Sequence, residues 1–168
     1  ILSYIALKKG LSIGTADARA GYLQATLPQE HERVFMNVPS FVEGWFPGAV
    51  CEVFKAVYGL PDAGRIFQRR ASRVLKKIGF VELPHFPGVF KRIKDTHEEY
   101  VGVYVDDLFL CATDIQLLAQ EITSNGLILG DTEVFQNGEP IKYNGIDIQF
   151  SHKYMSENTS ESISKLLT

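Results

Sequence analysis

The sequence predicts an α+β domain whose elements follow the order strand, helix, two hairpinned strands, helix, strand. In the stretch 101–111, apolar runs flank two adjacent aspartates, which is typical of two buried strands joined by a charged turn. Apolar residues at helical spacing precede this hairpin over residues 63–78 and follow it over residues 114–123. This is the split βαβ order of ferredoxin-like folds.

The composition is that of an ordinary globular protein. With 168 residues, 45% hydrophobic and 22% charged, the chain suits one packed soluble domain and is neither disordered nor fibrous. No apolar run approaches the roughly 20 residues of a membrane span, so no membrane partner is expected. The formal net charge of -3 excludes nucleic-acid binding by bulk charge alone. Cys51 and Cys111 are predicted to be core thiols, and the absence of an initial Met suggests a fragment.

The first third of the chain is predicted to contain one helix and several short strands. The helix is amphipathic and stops at Gly10. The small-residue stretch 17–24 begins at Asp17 and allows another group to approach the backbone, although a tight turn explains Gly21 equally well. Residues 41–48 are predicted to be a loop. The strands are expected at residues 11–16, 34–38 and 49–57.

The helix predicted over residues 63–78 concentrates positive charge in an otherwise acidic protein. Asp62 is its expected N-cap. A solvated helix face and a contact with a phosphate backbone explain these charges about equally well. The basic residues are Arg65, Arg69, Arg70, Arg73, Lys76 and Lys77.

The rest of the chain is predicted to complete the split βαβ order. Asp114 is the expected N-cap of the second helix, and Gly145 interrupts the last strand. In this layout the first strand lies beside the hairpin, so Asp17 is expected to meet the acidic tip. The predicted elements are strands at residues 89–93, 100–105, 108–112 and 141–150, a polar turn at 95–99, a helix at 114–123 and a short helix from about residue 160.

The adjacent residues Asp106 and Asp107 form the main candidate site. Burying an unpaired carboxylate is costly, so an acidic pair at the tip of a buried hairpin usually has a compensating cation. Aspartate supplies the hard oxygen ligands that Mg²⁺ prefers. Taken alone, a polar turn between two strands remains the simpler explanation of an Asp-Asp pair.

Several segments in series resemble the reverse transcriptase palm of copia-type LTR retrotransposons, and the resemblance covers nearly the whole chain. Residues 17–23 are similar to the first catalytic motif, an Asp followed five residues later by an aromatic, and Tyr104-Val105-Asp106-Asp107 is similar to the second. Tyr58-Gly59-Leu60 resembles the opening of the template-side helix. Residues 34–41 and 138–148 resemble the intervening strand and the strand before the thumb. The family usually has Lys-Gln-Ala-Pro where this chain has Pro61-Asp62-Ala63-Gly64.

The resemblance implies a polymerase palm-like fold with incomplete fingers and thumb. Residues 1–150 would form the palm with part of the fingers, and residues 151–168 would begin the connection toward the thumb. The implied activity is that of an RNA-directed DNA polymerase, which extends a primer 3′-hydroxyl on an RNA or DNA template with two Mg²⁺ ions, or with Mn²⁺ in their place. Implied partners are template-primer, deoxynucleoside triphosphates and the other polyprotein domains (fingers, thumb, RNase H and integrase). The implied location is cytoplasmic, in the virus-like particle of the parent element.

The resemblance also implies roles for individual residues. Asp17, Asp106 and Asp107 would be the catalytic metal ligands, with Asp106 the stronger because adjacent strand side chains point to opposite sides. Tyr22 would be a steric gate under the sugar and Tyr104 would lie near the primer end, although core or strand packing also explains each ring. Two further sets are implied: Ala63 and Arg65 at the substrate, and Arg65, Arg69, Arg73, Tyr143 and Gly145 on nucleic acid.

Two other functions are compatible with the sequence. A catalytically silent nucleic-acid-binding remnant, or a domesticated palm, would have little reason to retain Asp17, Asp106 and Asp107. A nucleotide cyclase on a related fold fits less well, because the basic helix suits a polymeric template better than a single nucleotide.

Overall fold

The chain is built around a six-stranded antiparallel sheet, and the computed structural model describes residues 1–136, 140–144, 146–150 and 155–158. The helices are α1 (Leu2–Lys9), α2 (Ser40–Glu43), α3 (Ala63–Lys77) and α4 (Ile115–Ser124). The strands are β1 (Ser12–Ala18), β2 (Val34–Asn37), β3 (Val50–Val53), β4 (Val81–Glu82), β5 (Val89–Lys94), β6 (His97–Tyr104), β7 (Asp107–Ala112), β8 (Leu129–Val134), β9 (Ile141–Tyr143), β10 (Ile146–Phe150) and β11 (Met155–Asn158). The mixed α+β class is confirmed.

The strand order of the main sheet is β4-β5-β6-β7-β1-β8, so β1 lies between β7 and β8. The prediction that residues 141–150 supply the last strand of this sheet is wrong, because β8 holds that position. Instead, the chain reverses after Tyr143, which pairs with Ile146, and β9 and β10 form a separate three-stranded sheet with β11. Two further strands, β2 and β3, pair as a ribbon.

The two faces of the main sheet carry separate hydrophobic clusters. On β7, Leu108 and Leu110 pack into the larger cluster, which includes α3 and α4 residues. Phe109 and Cys111 alternate with them and pack into the smaller cluster with residues of α1 and β10. Successive side chains of a strand point to opposite faces of the sheet. The two clusters therefore show to which face each residue of β7, beginning at the hairpin tip, is directed.

Helix α3 begins where it was predicted, but its cap differs. Asp62 holds the N-cap position without making a side-chain capping hydrogen bond. Its carboxylate instead accepts from Arg65 at 2.9 Å and lies 3.3 Å from His31 Nε2. A charged partner one turn along the helix therefore replaces the backbone N–H that a capping aspartate usually contacts.

Other predicted boundaries hold or move by a few residues. Gly10 ends α1 in the left-handed conformation at φ 64°, and Asp114 caps α4 by accepting from Leu117 N at 2.9 Å. The turn between β5 and β6 is tighter than predicted, with Asp95 at φ 54°. Helix α2 lies inside the predicted loop. The helix expected from residue 160 lies outside the described residues.

A buried ion network fastens the β5–β6 hairpin to both long helices. The Arg92 guanidinium donates to Glu99 at 2.6 Å and to Glu121 of α4 at 2.7 Å. It also donates to the Ile78 carbonyl at 2.7 Å and lies 4.5 Å from the Phe80 ring centre. Because Arg92 and Glu99 are both buried, this charge is fully paired where water cannot solvate it.

The two cysteines occupy different environments. Cys111 is buried, and burial raises its pKa to about 12. Cys51 is exposed, so its prediction as a core thiol is wrong, because the β2–β3 ribbon leaves much of its surface in solvent. Within the part of the chain that is described, no helix combines the length and apolarity needed to cross a bilayer.

Candidate functional site

The two aspartates lie at the tight tip of the β6–β7 hairpin. Tyr104 and Asp107 are the last paired residues, so Val105 and Asp106 form the connecting turn. Val105 adopts φ 55°, a conformation that is strained for a β-branched residue. The carbonyl of Asp106 accepts from Ala18 N at 2.7 Å, which ties the tip to the end of β1. The local backbone is thus fixed by pairing on both sides of the turn.

The register of β1 confirms that Asp17 meets the acidic tip. Asp17 pairs directly with Asp107, and residues opposite each other in an antiparallel pair project to the same face of the sheet. Burial raises the pKa of Asp107, and the negative charges of Asp106 and Asp17 raise it further, against a hydrogen bond from the Asn144 backbone. The three carboxylates therefore lie within electrostatic reach of one another.

The Asp106 side chain is directed to a tyrosine on the loop before α3. Tyr58 Oη donates to Asp106 Oδ2 at 2.8 Å. This hydrogen bond, more than burial, raises the pKa of Tyr58. A Cβ built on Gly21 would lie 2.9 Å from both Asp106 Oδ2 and Tyr58 Oη, so the absence of a side chain there permits the contact.

Two glycines leave room for the aspartate side chains, Gly21 beside Asp106 and Gly130 beside Asp17. A Cβ built on Gly130 of β8 would overlap Asp17 Oδ1 and stand 3.1 Å from Asp17 Cγ. The acidic oxygens and the two glycine cradles suit a hard cation such as Mg²⁺. In the described residues, however, no three His, Cys, Asp or Glu side chains are gathered as an ion-binding cluster. A shared ion would therefore require at least one carboxylate to turn.

Aromatic contacts surround Tyr22, which lies on the 3-10 turn Gly21–Gln24 that follows β1. Its ring centre is 4.6 Å from that of Tyr58 and 6.1 Å from that of Phe67, which it meets edge-on. A Cβ on Gly64 would be 3.6 Å from the Tyr22 hydroxyl. The half-buried Tyr22 therefore sits between the acidic tip and the start of α3.

Comparison with known proteins identifies the family to which the chain belongs. The family described as reverse transcriptase (RNA-dependent DNA polymerase) matches residues 1–158. The chain is 32% identical over 115 residues to the retrovirus-related Pol polyprotein from transposon RE2 of Arabidopsis thaliana, an alignment that covers 68% of this chain and 8% of that protein. The chain belongs to the reverse transcriptase family of copia-type retrotransposons.

Other relatives agree with this assignment. The reverse transcriptase chain is 31% identical over 115 residues to the Pol polyprotein from transposon RE1 of the same plant, again covering 68% of the chain and 8% of the relative. It is 30% identical over 111 residues to a putative transposon Ty5-1 protein of Saccharomyces cerevisiae, covering 64% of the chain and 35% of the relative. The aligned part therefore spans 8% of the length of the two plant Pol polyproteins and about a third of the length of the yeast protein.

Three of the predicted nucleic-acid contacts of this reverse transcriptase share one side of α3. Arg65, Arg69 and Arg73 are exposed and spaced four residues apart, so they follow one helix face. Arg65 is paired with Asp62, which offsets part of its charge. Arg70 has a different role, because it donates to the Gly126 carbonyl at 2.6 Å and fastens α3 to the loop after α4.

The remaining predicted site residues of the reverse transcriptase are more dispersed. Tyr104 is 52% exposed and lies opposite Asp107. Ala63 is 2% exposed and packs in the larger cluster, so its side chain faces the core. Tyr143 meets Phe109 edge-on at 5.2 Å, below the acidic tip. Gly145 lies outside the described residues.

The sequence did not predict two residues that contact the aspartates of the candidate site. Tyr58 was assigned only to the opening of a helix, yet its hydroxyl reaches Asp106, 48 positions further along the chain. Gly130 belongs to β8, which was not predicted, and no local pattern marks it as the neighbour of Asp17. Gly130 is the second residue of β8, and a glycine in a strand often marks a close approach, although the sequence does not indicate which residue approaches.

Proposed function

We propose that this chain is the palm-centred part of an RNA-directed DNA polymerase that extends a primer 3′-hydroxyl with deoxynucleotides on an RNA or DNA template. Its proposed setting is a copia-type polyprotein, with fingers, thumb, RNase H and integrase segments as partners, inside a cytoplasmic particle. The Pol polyprotein names of two relatives support the polyprotein part of that setting.

The observation on which the proposal rests is the pairing of Asp17 with Asp107 beside the turn that carries Asp106. Three carboxylates from two distant segments meet at one sheet end, where their mutual repulsion disfavours the fold unless a cation offsets it. The strand order β6-β7-β1-β8, with α3 and α4 as the crossovers, supports a palm with a ferredoxin-like core.

In the proposed reaction, Asp17 and Asp106 would hold two Mg²⁺ ions, with Asp107 as a supporting ligand, and Mn²⁺ could replace Mg²⁺. When bound, such ions supply the charge that activates a hydroxyl nucleophile and neutralises a leaving pyrophosphate. Tyr22 packs under the sugar and excludes a 2′-hydroxyl. Tyr104, exposed on the strand beside Asp107, lies where a primer end would approach.

The template is proposed to follow the exposed arginine face of α3. Arg69 and Arg73 are exposed and have no ion pair among the described residues, so both guanidinium groups are available to phosphate oxygens. Arg65 would join them once its pair with Asp62 yields to a phosphate. Such contacts predict binding that weakens as salt rises.

Primer extension tests the proposal. A polyprotein containing this chain should extend a primer on RNA and on DNA templates with Mg²⁺, and Asp106→Asn should remove the extension. Asp114→Asn, which changes a helix cap at the opposite end of β7 from the tip, serves as the matched control and should retain it. Extension that survives Asp106→Asn, or none by the parent protein, would contradict the proposal.

A catalytically silent nucleic-acid-binding palm is the second candidate function. The Asp62–Arg65 pair favours the loss of catalysis in this candidate, because it weakens one predicted template contact near the site while Arg69 and Arg73 still offer charge to nucleic acid. In that case the protein should bind template-primer with salt-sensitive affinity, Asp106→Asn should leave that affinity unchanged, and neither form should extend a primer. The primer-extension comparison separates the two functions.

A further inference from the structure

Tyr58 contacts two residues of the proposed polymerase site at once. Its hydroxyl donates to Asp106 Oδ2 at 2.8 Å, and its ring lies 4.6 Å from the Tyr22 ring, centre to centre. Neither contact follows from local chain geometry, because the three residues belong to different segments. Tyr58 therefore links a proposed metal ligand to the proposed sugar gate.

The hydrogen bond from Tyr58 occupies one carboxylate oxygen of Asp106. Strand alternation places Asp107 on the same face as Asp17, through their direct pairing. The Asp106 carboxylate is instead directed to Tyr58 and Gly21. Because the carboxylates in the described residues are not gathered as an ion-binding cluster, Asp106 must turn before it can share an ion with Asp17.

We propose that Tyr58 is a latch that competes with divalent ions for Asp106. An ion that binds between Asp17 and Asp106 breaks the Tyr58–Asp106 hydrogen bond, and the released ring exposes the face of Tyr22 that it covers. Ion binding and access to the sugar gate are thereby coupled through one side chain. This inference rests on the proposed function, since it requires that Asp106 be an ion ligand.

The surroundings of Tyr58 suit a side chain that moves. It is 65% exposed, so its ring can swing into solvent without opening the core. Gly59 follows it at φ 101°, a conformation that other residues rarely adopt. Gly21 leaves the space in which the Tyr58 hydroxyl reaches Asp106. The latched position is thus specific and yet held by few contacts.

The expected effect of the latch is modest. A hydroxyl bonded to a carboxylate near the surface has a small net free energy, because water replaces the lost contact. Removing it should therefore strengthen ion binding by roughly fivefold. A much larger change would indicate that the variant had rearranged the site.

Mn²⁺ binding to the purified chain, measured by electron paramagnetic resonance of the free ion, tests the latch without relying on activity. Tyr58→Phe keeps the ring and removes the hydroxyl, and should bind Mn²⁺ roughly fivefold more tightly than the parent. Tyr4→Phe, which removes the hydroxyl of an exposed tyrosine on α1, should leave the affinity unchanged. Circular dichroism confirms that the variants fold alike.

Asp106→Asn separates failure of the latch from failure of the proposed metal site. In the Tyr58→Phe background it should weaken Mn²⁺ binding and remove the gain. If Asp106→Asn weakens binding but Tyr58→Phe leaves it equal to or weaker than that of the parent, the latch is wrong and the metal site stands. If Asp106→Asn leaves the Mn²⁺ affinity unchanged in both backgrounds, the proposed metal site is wrong and so is the latch, which depends on it.

Discussion

Replacing Gly130 with alanine should displace a proposed metal ligand without disturbing the fold. The added Cβ would overlap Asp17 Oδ1 and lie 3.1 Å from Asp17 Cγ and 3.3 Å from Oδ2. Gly130 does not have a positive φ, so alanine is compatible with its strand conformation. The conflict therefore involves only the end of an exposed side chain, which can rotate away.

The two consequences of this substitution differ in size. Since ordinary carbon–oxygen contacts lie near 3.5 Å, the carboxylate must move by about 1 Å. Such a displacement costs on the order of 100-fold in rate at a catalytic group. The free energy of unfolding should change by no more than about 1 kcal/mol, because the steric conflict is relieved at the surface and alanine suits a strand better than glycine.

Primer extension by a polyprotein containing this chain measures the first consequence, and thermal unfolding of the chain measures the second. Gly14→Ala provides the contrast, because its Cβ would lie 2.5 Å from Ile115 Cγ2 and 2.8 Å from the Glu133 carbonyl. That core conflict should lower stability by about 1–3 kcal/mol. Parent-like extension and Mn²⁺ affinity in Gly130→Ala would refute the assignment of Asp17 as a ligand.

The other predictions concern sugar choice, acid stability and template binding. Tyr22→Ala should raise ribonucleotide incorporation, and unchanged sugar selectivity in primer extension would remove its role as gate. The pKa of Glu121 is lowered from 4.5 to about 2, chiefly by its hydrogen bond from Arg92, so this stabilisation is complete above pH 4.5 and is lost as the pH falls through 2. Urea unfolding of Glu121→Gln should therefore show a shallower loss of stability over that range than the parent, and equal slopes would contradict it. Arg73→Ala should reduce the slope of log affinity against log salt for template-primer by about 1, whereas Arg70→Ala should reduce stability and leave the slope unchanged.

The elements that the sequence predicts best are those with a strong hydrophobic period. Helix α3 buries Ile66, Phe67 and Leu75 at helical spacing, and β7 is an almost uninterrupted apolar run. Strand β8 was missed because it lies at the sheet edge, where Asp131 and Thr132 are tolerated and the alternation that marks a strand is weak. An edge strand obtains its position from pairing with β1, which no local pattern encodes.

The candidate site also has features that the sequence predicts and features that only the structure shows. The meeting of Asp17 with the acidic tip follows from strand order, so topology alone anticipated it. The contacts of Tyr58 and Gly130 depend on rotamers and on sub-ångström distances between segments far apart in the chain. These contacts result from tertiary packing, which the pattern of residues along the chain does not specify.

The strained turn explains why the two adjacent aspartates are not equivalent. Because Val105 takes the left-handed conformation, the hairpin closes in two residues and Asp106 stays in the turn while Asp107 enters β7. Asp107 is then fixed by its pairing with Asp17 and by the Asn144 backbone. Asp106 is held by a single side-chain hydrogen bond from Tyr58 among the described residues. In the proposed site Asp106 must turn to meet an ion, so its proposed rank as the stronger ligand requires that the hydrogen bond from Tyr58 breaks.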